Sequence, residues 1–372
     1  MGPTIHDVAR LANTSKSTVS RYLNGQSVRR HTQEALEKAI KELNYHRNMN
    51  ARRLVMNKTF NIGVIVDNIS NTFYSGIIRG IEQITHDHGY NSVFYSWDSN
   101  YPRGKAAERR QESSFLKLLY EGEVDGIILL SFKKRAKEEL EQISQTPYPV
   151  VLIGDHGEMD NILAIDVDNG AGTAKSVRYL YELGHRRIAY ISGPEYATAS
   201  DYRFRGYREA LKQHQLEYDQ ALVTSSDWSK EGGYETMKKL LQQADFTAVI
   251  GSNDETAIGA LRAIHEYGLS VPEQMSIIGY DDIPISEWVR PALTTIRQPF
   301  EQIGCQAAAS LFEQLEKGGG SPIQSDKQGQ QANGADTAIL SVSGRVHLLE
   351  PSLVIRDSCS KVNTDVAKGG ES

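Results

Sequence analysis

The sequence has little of what characterises disulfide-rich, zinc-binding or membrane proteins. Its 372 residues include two cysteines, Cys305 and Cys359, with no CxxC pair and no Cys/His spacing suited to zinc, so we treat both as incidental thiols. No apolar run approaches the roughly 18 residues of a membrane span, and the first residues, MGPTIHDVAR, lack the apolar core of a secretory signal. These absences predict a cytoplasmic protein with no membrane partner.

The common catalytic signatures are absent as well. The chain contains no GxGxxG, GxxxxGK[ST], GxSxG or HExxH motif. The cluster His86-Asp87-His88 lies at a polar helix end, where such side chains are far more often solvated than bound to a metal. We therefore predict no catalytic residue, no metal site and no cofactor, while an enzyme on a doubly wound fold stays open as an alternative.

Charge is unevenly distributed along the chain, whose net charge is −6. Residues 1–58 contain 11 Lys and Arg against four Asp and Glu, a net charge of +7. The rest contains 30 basic and 43 acidic residues, a net charge of −13. A small basic head on a large acidic body is expected when one end of a chain binds a polyanion.

The basic head has the periodicity of three short helices. Thr4 and Asp7 can form a capping box for a helix over about residues 5–12, whose apolar residues fall on one face. After a tight turn, Ser15 can cap a second helix, and a third helix starts at Thr32. Three short helices with such a turn predict a helix-turn-helix, whose second helix enters the major groove of DNA.

The second helix carries the stretch SKSTVSRYLNG, whose polar residues fall on one side at 100° per residue. Arg and Lys can donate to guanine O6 and N7 in the major groove. We expect Lys16, Ser17 and Arg21 to meet base edges, with Ser20 and Asn24 nearer phosphates. A solvated amphipathic helix is the alternative.

The segment NYHRNMNARRLVMNK, residues 44–58, follows the third helix. Asn48 could cap a single turn containing Ala51, Arg52 and Leu54, which is too short to be stable alone. Paired with its symmetry mate on DNA, the turn could fold, place its arginines at phosphates and insert Leu54 between base steps. An ordinary interdomain linker is the alternative.

From residue 60 to about residue 316, short β-branched runs alternate with amphipathic helical patterns. This alternation predicts an α/β body with doubly wound parallel sheets, covered by helices on both faces. Open sheets of this kind bind ligands at the carboxyl ends of their strands.

Polar and aromatic side chains collect where the predicted strands end. They are Asp67, Asn68, Asn71, Phe73, Tyr74, Asp98, Arg203, Trp228, Asn253, Asp254, Asp281 and Asp282. Carboxylates, amides and arginine can bond vicinal hydroxyls, and an aromatic ring can cover the apolar face of a sugar. We predict that these residues converge on one cleft that binds a hydroxyl-rich ligand, although loop capping explains any single one of them.

Several ordered motifs resemble the lac and galactose repressor family of bacterial transcription regulators (LacI/GalR). They are TIHDVARLANTSKSTVSRYLNG, ELNYHRNMNARRL, SNTFY, SDYRFRGYREAL, SNDETAIGALRAI, IIGYDD and TTIRQPF. The resemblance covers nearly the whole chain and implies a two-lobed body like that of the periplasmic binding proteins. Three positions depart from the family's pattern: Arg47 and Thr72 stand where proline is usual, and Gly154 where an acid is common.

The resemblance also assigns roles to residues. The implied DNA-binding residues are Thr4, Lys16, Ser17, Thr18, Ser20, Arg21, Asn24, Asn48, Ala51, Arg52 and Leu54. The implied ligand-binding residues are Asn71, Phe73, Tyr74, Arg203, Trp228, Asn253, Asp281 and Gln298. Leu54 falls on the hinge leucine of the family, and Trp228 on a stacking position.

The same resemblance divides the chain into domains. The expected parts are a helix-turn-helix head at 1–46, a hinge helix at 47–59, a body at 60–358 with lobe 1 at about 60–164 and 297–317 and lobe 2 at about 166–293 and 345–358, and a polar tail at 359–372. Residues 318–341 are rich in Gly, Gln and Ser and look inserted, so we expect a flexible loop there.

The predicted function is a sequence-specific transcriptional regulator, a repressor of carbohydrate-utilisation genes. Its partners would be pseudo-palindromic double-stranded operator DNA, a small carbohydrate effector and a second copy of the chain. Cleft closure would change the spacing of the two hinges and so the fit to adjacent half-sites. Two alternatives stay open, namely the same fold with a phosphoprotein corepressor in catabolite control, and a sugar-binding protein or enzyme without DNA function.

Overall fold

The structure is a computed structural model. It describes residues 3–23, 25–46, 56, 58–67, 69, 71–96, 114–132, 134–154, 162–318, 339–342 and 346–362. The chain divides into two compact units, Met1–Thr59 and Phe60–Ser372, which we call the head and the body. Within the described ranges, every helix is too short or too polar to cross a membrane.

The head consists of three helices; the first two start after the predicted capping residues Thr4 and Ser15, and the third starts at Arg30, two residues before the predicted Thr32. They are α1 (Ile5–Leu11), α2 (Lys16–Leu23) and α3 (Arg30–Glu42). The Asp7 carboxylate accepts hydrogen bonds from the backbone N–H and the hydroxyl of Thr4, at 2.9 and 2.7 Å, which confirms the capping box. At the start of α2, the Thr18 N–H donates to Ser15 Oγ at 3.2 Å, as predicted.

A small apolar core holds the head together. Val8, Val19 and Leu36, one from each helix, are fully buried. Asn13 has φ 48°, a left-handed conformation that asparagine tolerates, and it turns the chain between α1 and α2. Because Val19 faces this core, the opposite side of α2 faces away from it.

The body contains two sheets. Its strands are β1 (Asn61–Val66), β2 (Asn91–Ser96), β3 (Gly126–Ser131), β4 (Val150–Gly154), β5 (Ala164–Val167), β6 (Ile188–Ser192), β7 (Val223–Ser225), β8 (Ala248–Gly251), β9 (Ser276–Asp281), β10 (Thr294–Arg297), β11 (Ile339–Val342), β12 (Val346–Leu349) and β13 (Ser352–Val354). The first sheet has the order β11-β12-β5-β4-β3-β1-β2, and the second has the order β13-β10-β9-β8-β6-β7. All strand pairs are parallel except those of β11 and β13.

Helices cover these sheets, as the continuous apolar strands require. They are α4 (Ser75–Asp87), α5 (Ser114–Tyr120), α6 (Lys137–Gln145), α7 (Asn169–Glu182), α8 (Thr198–Gln213), α9 (Lys230–Gln243), α10 (Asp254–Glu266) and α11 (Phe300–Gly318), with short 3-10 turns at Thr72–Tyr74, Gln220–Leu222 and Pro284–Glu287. Neighbouring side chains of one strand pack into different cores: Val64 lies with Ile303 of α11, and Ile65 with Phe115 of α5. The predicted α/β fold class is confirmed.

Glycines bring α4 and α11 into close contact. A side chain at Gly80 would overlap the backbone oxygen of Glu301, and one at Gly304 would overlap the backbone oxygen of Ile77. The pair α9 and α10 is packed in the same way. Since α4 directly follows the turn Thr72–Tyr74, this contact also fixes the position of that turn relative to α11.

The described chain passes between the lobes three times. It leaves the first sheet after β5 and enters α7, leaves the second sheet after β10 and enters α11, and leaves the first sheet again between β12 and β13. Lobe 1 is therefore the first sheet with α4, α5, α6 and α11, and lobe 2 is the second sheet with α7 to α10.

Two expected boundaries were wrong. Residues 345–358 were assigned to lobe 2, but β12 pairs in parallel with β5, with Val346 opposite Ala164, and so lies in lobe 1; β13, later in the same range, pairs with β10 and lies in lobe 2. The loop expected over 318–341 overlaps two described elements at its ends. Gly318 ends α11, and β11 pairs antiparallel with β12; residues 319–338 lie outside the described ranges.

Candidate functional site

The polar side of α2 is exposed in the head. Lys16, Ser17 and Arg21 are exposed and Ser20 is half-buried, while Val19 on the other side is fully buried. The predicted base-reading side chains therefore share one face of α2. This is the geometry that a helix needs to present cations to a groove.

Two hydroxyls near the start of α2 also take part in its cap. Ser15 Oγ lies 2.7 Å from Ser17 Oγ and 2.8 Å from Thr18 Oγ1. Thr4 is exposed, with its hydroxyl donating to Asp7. These three predicted DNA-binding residues thus have local structural partners.

Some predicted residues lie outside the described ranges. Of the DNA-binding set these are Asn24, Asn48, Ala51, Arg52 and Leu54, and of the strand-end set Asn68 and Asp98. The predicted hinge turn therefore stays a prediction.

A cavity of about 320 Å³ lies between the lobes, at the carboxyl ends of their strands. Its lining residues are Asp67, Asn71, Thr72, Phe73, Tyr74, Phe132, Tyr196, Ala199, Arg203, Asp227, Trp228, Ser229, Asn253, Glu255, Asp281 and Ile283. The structure thus brings together every predicted ligand-binding residue except Gln298. We call this cavity the cleft.

Arg203, on α8, is the buried cation of the cleft. It is 4% exposed, its Nε donates to Asn169 Oδ1 at 2.8 Å, and its Nη1 donates to the Ser252 carbonyl. Its Nη2 lies 3.5 Å from Asp281 Oδ1, and its guanidinium stacks 3.8 Å above the Tyr280 ring. These contacts fix the plane of the guanidinium, so its remaining N–H groups have a defined direction.

Gln298 is hydrogen-bonded to Asp281 and is not among the residues that line the cleft. Its Nε2 donates to Asp281 Oδ1 at 2.7 Å, and its side chain is buried. Burial raises the pKa of Asp281 to about 6, against the opposing effects of Arg203 and Gln298. In this structure Gln298 therefore contacts a residue of the cleft, Asp281, and is not itself one of the lining residues.

Two cleft residues have left-handed backbone conformations. Trp228 has φ 69° and Asp281 has φ 116°, and the neighbouring Asp282 has φ 59°. Such conformations cost of order 1–3 kcal/mol each in residues other than glycine and persist where the surroundings hold them. Arg297 and Arg356 supply this support at Asp282, each 2.6 Å from a carboxylate oxygen.

Lobe 1 contributes an aromatic wall. Asn71 Oδ1 accepts from the Phe73 N–H at 3.0 Å and so starts the turn Thr72–Tyr74. Phe73 and Phe132 meet edge to face, with ring centroids 5.3 Å apart, and Tyr74 stacks parallel to Phe132 at 6.3 Å. Aromatic rings held in this way offer an apolar face to a ligand.

Lobe 2 contributes Trp228 and Asn253 to the opposite wall. Trp228 Nε1 donates to Ser252 Oγ at 3.1 Å, which fixes the indole ring. Asn253 caps α10, since its Oδ1 accepts from the Thr256 N–H at 2.9 Å, and its Nδ2 donates to the Trp228 carbonyl. The amide predicted to contact ligand thus also joins the helix cap to the tryptophan.

Asp254, next to Asn253, belongs to the interior of lobe 2. It is fully buried, and its carboxylate accepts hydrogen bonds from the Ile283 N–H at 2.9 Å and from the hydroxyls of Ser286 and Thr295 at 2.6 and 2.5 Å. Burial, followed by the charge of Asp281, raises the pKa of Asp254 to about 8. Its position after a strand predicted that Asp254 belongs to the cleft, but its carboxylate instead contacts the loop after β9.

The sequence analysis missed four notable cleft residues, namely Phe132, Tyr196, Asp227 and Glu255. Phe132 directly follows β3 and Asp227 lies two residues after β7, so the strand-end rule could have found both. Tyr196 and Glu255 lie in a loop and on a helix, where only the folded chain brings them to the cleft.

A larger cavity, of about 470 Å³, lies between α7, α8 and β12. Tyr202 is the one aromatic residue among its described lining residues. We place the candidate ligand site in the smaller cleft, because that cavity combines fixed aromatic rings with converging polar groups.

The described residues contain no group of three metal-ligating side chains. His88 stacks on Phe312, with ring centroids 4.0 Å apart, and His86 is exposed beside Asp87.

Two family models match the chain. A model described as "Bacterial regulatory proteins, lacI family" matches residues 4–48. One described as "Periplasmic binding protein-like domain" matches residues 177–329. The matched ranges contain α2 in the head and Arg203, Trp228 and Asp281 in the cleft.

Curated relatives and solved structures match over most of the chain. Catabolite control protein A of Priestia megaterium is 33% identical over 320 residues, 85% of this chain and 94% of the relative. The HTH-type transcriptional repressor CytR of Escherichia coli (strain K12) is 35% identical over 315 residues, 84% of this chain and 90% of the relative. The lac repressor dimer bound to operator and the anti-inducer ONPF has a TM-score of 0.78 at 26% identity, covering 97% of this chain and 100% of that one. A complex of the transcriptional regulator CelR with cellobiose has a TM-score of 0.67 at 29% identity, covering 96% and 99%.

The two family models match the head, which contains α2, and part of the two-lobed body. Relatives above 30% identity span more than four-fifths of both chains. The chain therefore belongs to the lacI family of bacterial regulatory proteins and is a DNA-binding transcription regulator.

Proposed function

We propose that the chain is a homodimeric repressor of carbohydrate-utilisation genes whose operator affinity is controlled by a small sugar bound in the cleft. It acts by binding alone, without catalytic turnover, metal or cofactor. The observation that carries the proposal is the composition of the cleft, whose walls come from both lobes: Phe73 and Tyr74 from lobe 1, Arg203 and Asp281 from lobe 2.

A ligand held between two lobes can favour one lobe arrangement over another. Its contacts with Phe73 and its contacts with Arg203 are made together only when the lobes are suitably close. The difference in ligand affinity between the two arrangements is the free energy available for regulation. Support for a sugar comes from the related CelR, whose structure is a complex with cellobiose.

The DNA-binding part of the proposal rests on α2. Lys16, Ser17 and Arg21 would contact base edges in the major groove, while the hinge residues Arg52 and Leu54 would contact phosphates and the minor groove. Two copies of the chain would read the two halves of a pseudo-palindromic operator. The related lac repressor is a dimer in its operator complex.

The test combines a sugar panel with one conservative variant. Gel shifts on the DNA upstream of the protein's own gene, with and without each sugar, should reveal a sugar that changes operator affinity. Arg203→Lys keeps the charge but loses the planar fork, so it should abolish the response to that sugar and leave operator affinity without sugar unchanged.

Arg186→Lys is the matched control, because Arg186 is an exposed arginine of lobe 2 outside the cleft. It should retain the response. A normal sugar response in Arg203→Lys would refute the cleft as the effector site. A response to a phosphoprotein and to no sugar would instead support the corepressor alternative.

A further inference from the structure

Two consecutive aspartates at the end of β9 have left-handed backbone conformations. Asp281 has φ 116° and Asp282 has φ 59°, which residues other than glycine rarely adopt. Asp281 and Ile283 line the cleft, whereas Asp282, between them, is not among the described lining residues. Such a backbone persists only where its surroundings hold it, so the position of the Asp281 carboxylate depends on the contacts of its neighbours.

Two arginines hold the Asp282 side chain. Arg356 Nη2 lies 2.6 Å from Asp282 Oδ1, and Arg297 Nε lies 2.6 Å from Asp282 Oδ2. The side chains of Asp282 and Arg356 are 8% and 14% exposed, whereas that of Arg297 is 56% exposed. Because burial reduces screening by water, the pair with Arg356 is the stronger of the two. We call these three residues the arginine clasp.

Arg356 is itself fixed by neighbouring groups. Its Nη1 donates to the Leu293 carbonyl at 2.9 Å, and its backbone N–H donates to Thr294 Oγ1 at 3.0 Å. Leu293 and Thr294 lie at the start of β10, so Arg356 connects this strand to the loop after β9. A residue that follows β13 and does not line the cleft thus holds the neighbour of a cleft residue.

The register of the strands brings Arg297 to the same loop. In the parallel pair of β9 and β10, Arg297 is opposite Asp281. The next residue, Gln298, donates to Asp281 twice, from its side chain to Oδ1 at 2.7 Å and from its backbone N–H to the carbonyl at 3.4 Å. Two consecutive residues at the second crossover therefore hold two consecutive residues at the end of β9.

The residues on either side of Asp282 have contacts of their own. The Ile283 N–H donates to the Asp254 carboxylate at 2.9 Å, and Asp281 Oδ1 lies 3.5 Å from Arg203 Nη2. The arginine clasp supplies the side-chain contacts of the residue between them. Without the clasp, the left-handed backbone would relax and the Asp281 carboxylate would shift relative to Arg203.

We propose that Arg356 and Arg297 are positioning residues of the sugar site, because they hold Asp282 and thereby set the position at which Asp281 accepts a ligand hydroxyl. Neither arginine is among the described residues that line the cleft, so both act through Asp282. A shift of about 1 Å is sufficient, since an O–H···O hydrogen bond of about 2.7 Å is no longer formed at about 3.6 Å. The inference rests on the proposed sugar-binding function and adds determinants of affinity outside the cavity.

The test is calorimetric titration of the full-length protein with D-glucose, D-galactose, D-ribose and cellobiose. The sugar that binds the wild type most tightly is then titrated into Arg356→Gln. Its affinity should fall by about tenfold or more, the usual effect of losing a hydrogen bond to a charged group. Wild-type affinity in a folded Arg356→Gln would overturn the inference.

Arg187→Gln is the matched control. Arg187 Nη2 lies 2.9 Å from Asp219 Oδ2, and its Nε donates to the Asp245 carbonyl at 2.7 Å, so this arginine also joins a carboxylate to a carbonyl in lobe 2. It directly precedes β6 and is not among the described cleft residues. Arg187→Gln should leave sugar affinity unchanged. An equal loss of affinity in both variants would indicate a general effect on lobe 2 and overturn the positioning role.

A double-mutant cycle tests whether Arg356 acts through Asp281. In the Asp281→Asn background, Arg356→Gln should change sugar affinity by less than about twofold, because the contact that Arg356 supports has already been weakened. Sugar-observed NMR measures the weak affinities of this background. A loss of about tenfold in this background as well would show that Arg356 affects binding by another route, which would overturn the inference.

Arg297→Gln tests the second arm of the clasp and does not depend on the folding of Arg356→Gln. The Arg297 side chain is more than half exposed, so water screens its pair with Asp282. Its replacement should lower sugar affinity by about threefold, the effect of an exposed ion pair. Unchanged affinity would overturn the role of Arg297, and together with an unfolded Arg356→Gln it would overturn the whole inference.

Failure of the proposed function would look different. If a sugar binds with the expected dependence on Arg356 but never alters operator affinity, the repressor mechanism fails and the positioning role stands. If a sugar binds and alters operator affinity equally in wild type and Arg356→Gln, the positioning role fails and the mechanism stands. If none of the four sugars binds, both fail.

Discussion

Two arginines show that burial determines whether a guanidinium is available to a partner outside the protein. Arg21 is exposed on α2, whereas Arg203 is buried among Asn169, Ser252 and Asp281. An exposed guanidinium keeps its donors for a partner outside the protein. A buried one must be satisfied inside the fold, and it then serves as a fixed point of a binding site.

The first prediction at this scale concerns Arg21. Arg21→Ala should lower operator affinity relative to random DNA by about 1–3 kcal/mol, because a bidentate contact to guanine is lost. Fluorescence anisotropy on both DNAs measures this ratio. Lys38→Ala removes a charge from the exposed side of α3 and should preserve the ratio; equal ratios in the two variants would contradict the assignment of Arg21.

The second prediction concerns Asp254 and pH. Its pKa is raised from 3.8 to about 8 in the folded chain, so folding favours the protonated carboxyl. The native state then binds more protons than the unfolded state, and stability is lost as pH rises through this window. The loss should be on the order of a few kcal/mol, because one pKa unit corresponds to about 1.4 kcal/mol.

Chemical denaturation of the wild type and Asp254→Asn across this pH range tests the prediction. The stability of the wild type minus that of the variant should fall with rising pH. Asp245→Asn, at an exposed position, should show no such trend. A difference that rises with pH would show that the native hydrogen bonds stabilise the ionised Asp254 more than burial opposes it.

At the scale of elements, two side-chain amides connect charged residues of the cleft to segments in which the chain crosses between the lobes. Asn169 begins α7 directly after the first crossover and accepts from Arg203. Gln298 lies in the second crossover and donates to Asp281. The ion pair in the cleft is thus held from both sides by segments whose backbone must move when the lobes move.

We predict that Asn169→Ala weakens sugar binding by about 1.5–3 kcal/mol, the contribution of a hydrogen bond to a charged group. Asn169→Asp keeps the acceptor for Arg203 Nε and should restore affinity. Lys175→Gln breaks contacts with Glu350 and Pro351 at the third crossover without touching the cleft, so it should leave sugar affinity unchanged. Calorimetry measures the sugar affinity of the three variants, and thermal melts confirm that each variant is folded. Equal sugar affinity in wild type and Asn169→Ala would contradict a role of the Asn169–Arg203 hydrogen bond in the cleft.

At the scale of the whole molecule, the cleft and the head are two sites on one chain. If a sugar changes operator affinity by some factor, the operator must change sugar affinity by the same factor. We expect a factor between about 5 and 150, the usual range of such coupling. Sugar titrations with and without saturating operator, beside operator titrations with and without sugar, measure both factors. A factor of one in both sets of titrations would contradict coupling between sugar binding and operator binding.

The sequence by itself determined the local structure and most of the candidate cleft. Periodicity located α1 and α2, and the alternation of strands and helices indicated two parallel sheets with polar residues at their carboxyl ends. Seven of the eight predicted ligand-binding residues line one cavity. The reason is that helix caps, the periodicity of apolar residues and strand ends depend on residues that are neighbours in the chain, so they can be recognised in the sequence directly.

Only the tertiary structure decided what depends on distant segments. The four residues of β12 suit either sheet, and pairing with β5 places them in lobe 1. Asp254 follows β8 and Asp281 ends β9, yet the contacts of Asp254 with the loop at Ile283 make it structural, while Asp281 lines the cleft. Pairing and burial arise from contacts between residues far apart in the chain, and no local pattern encodes them.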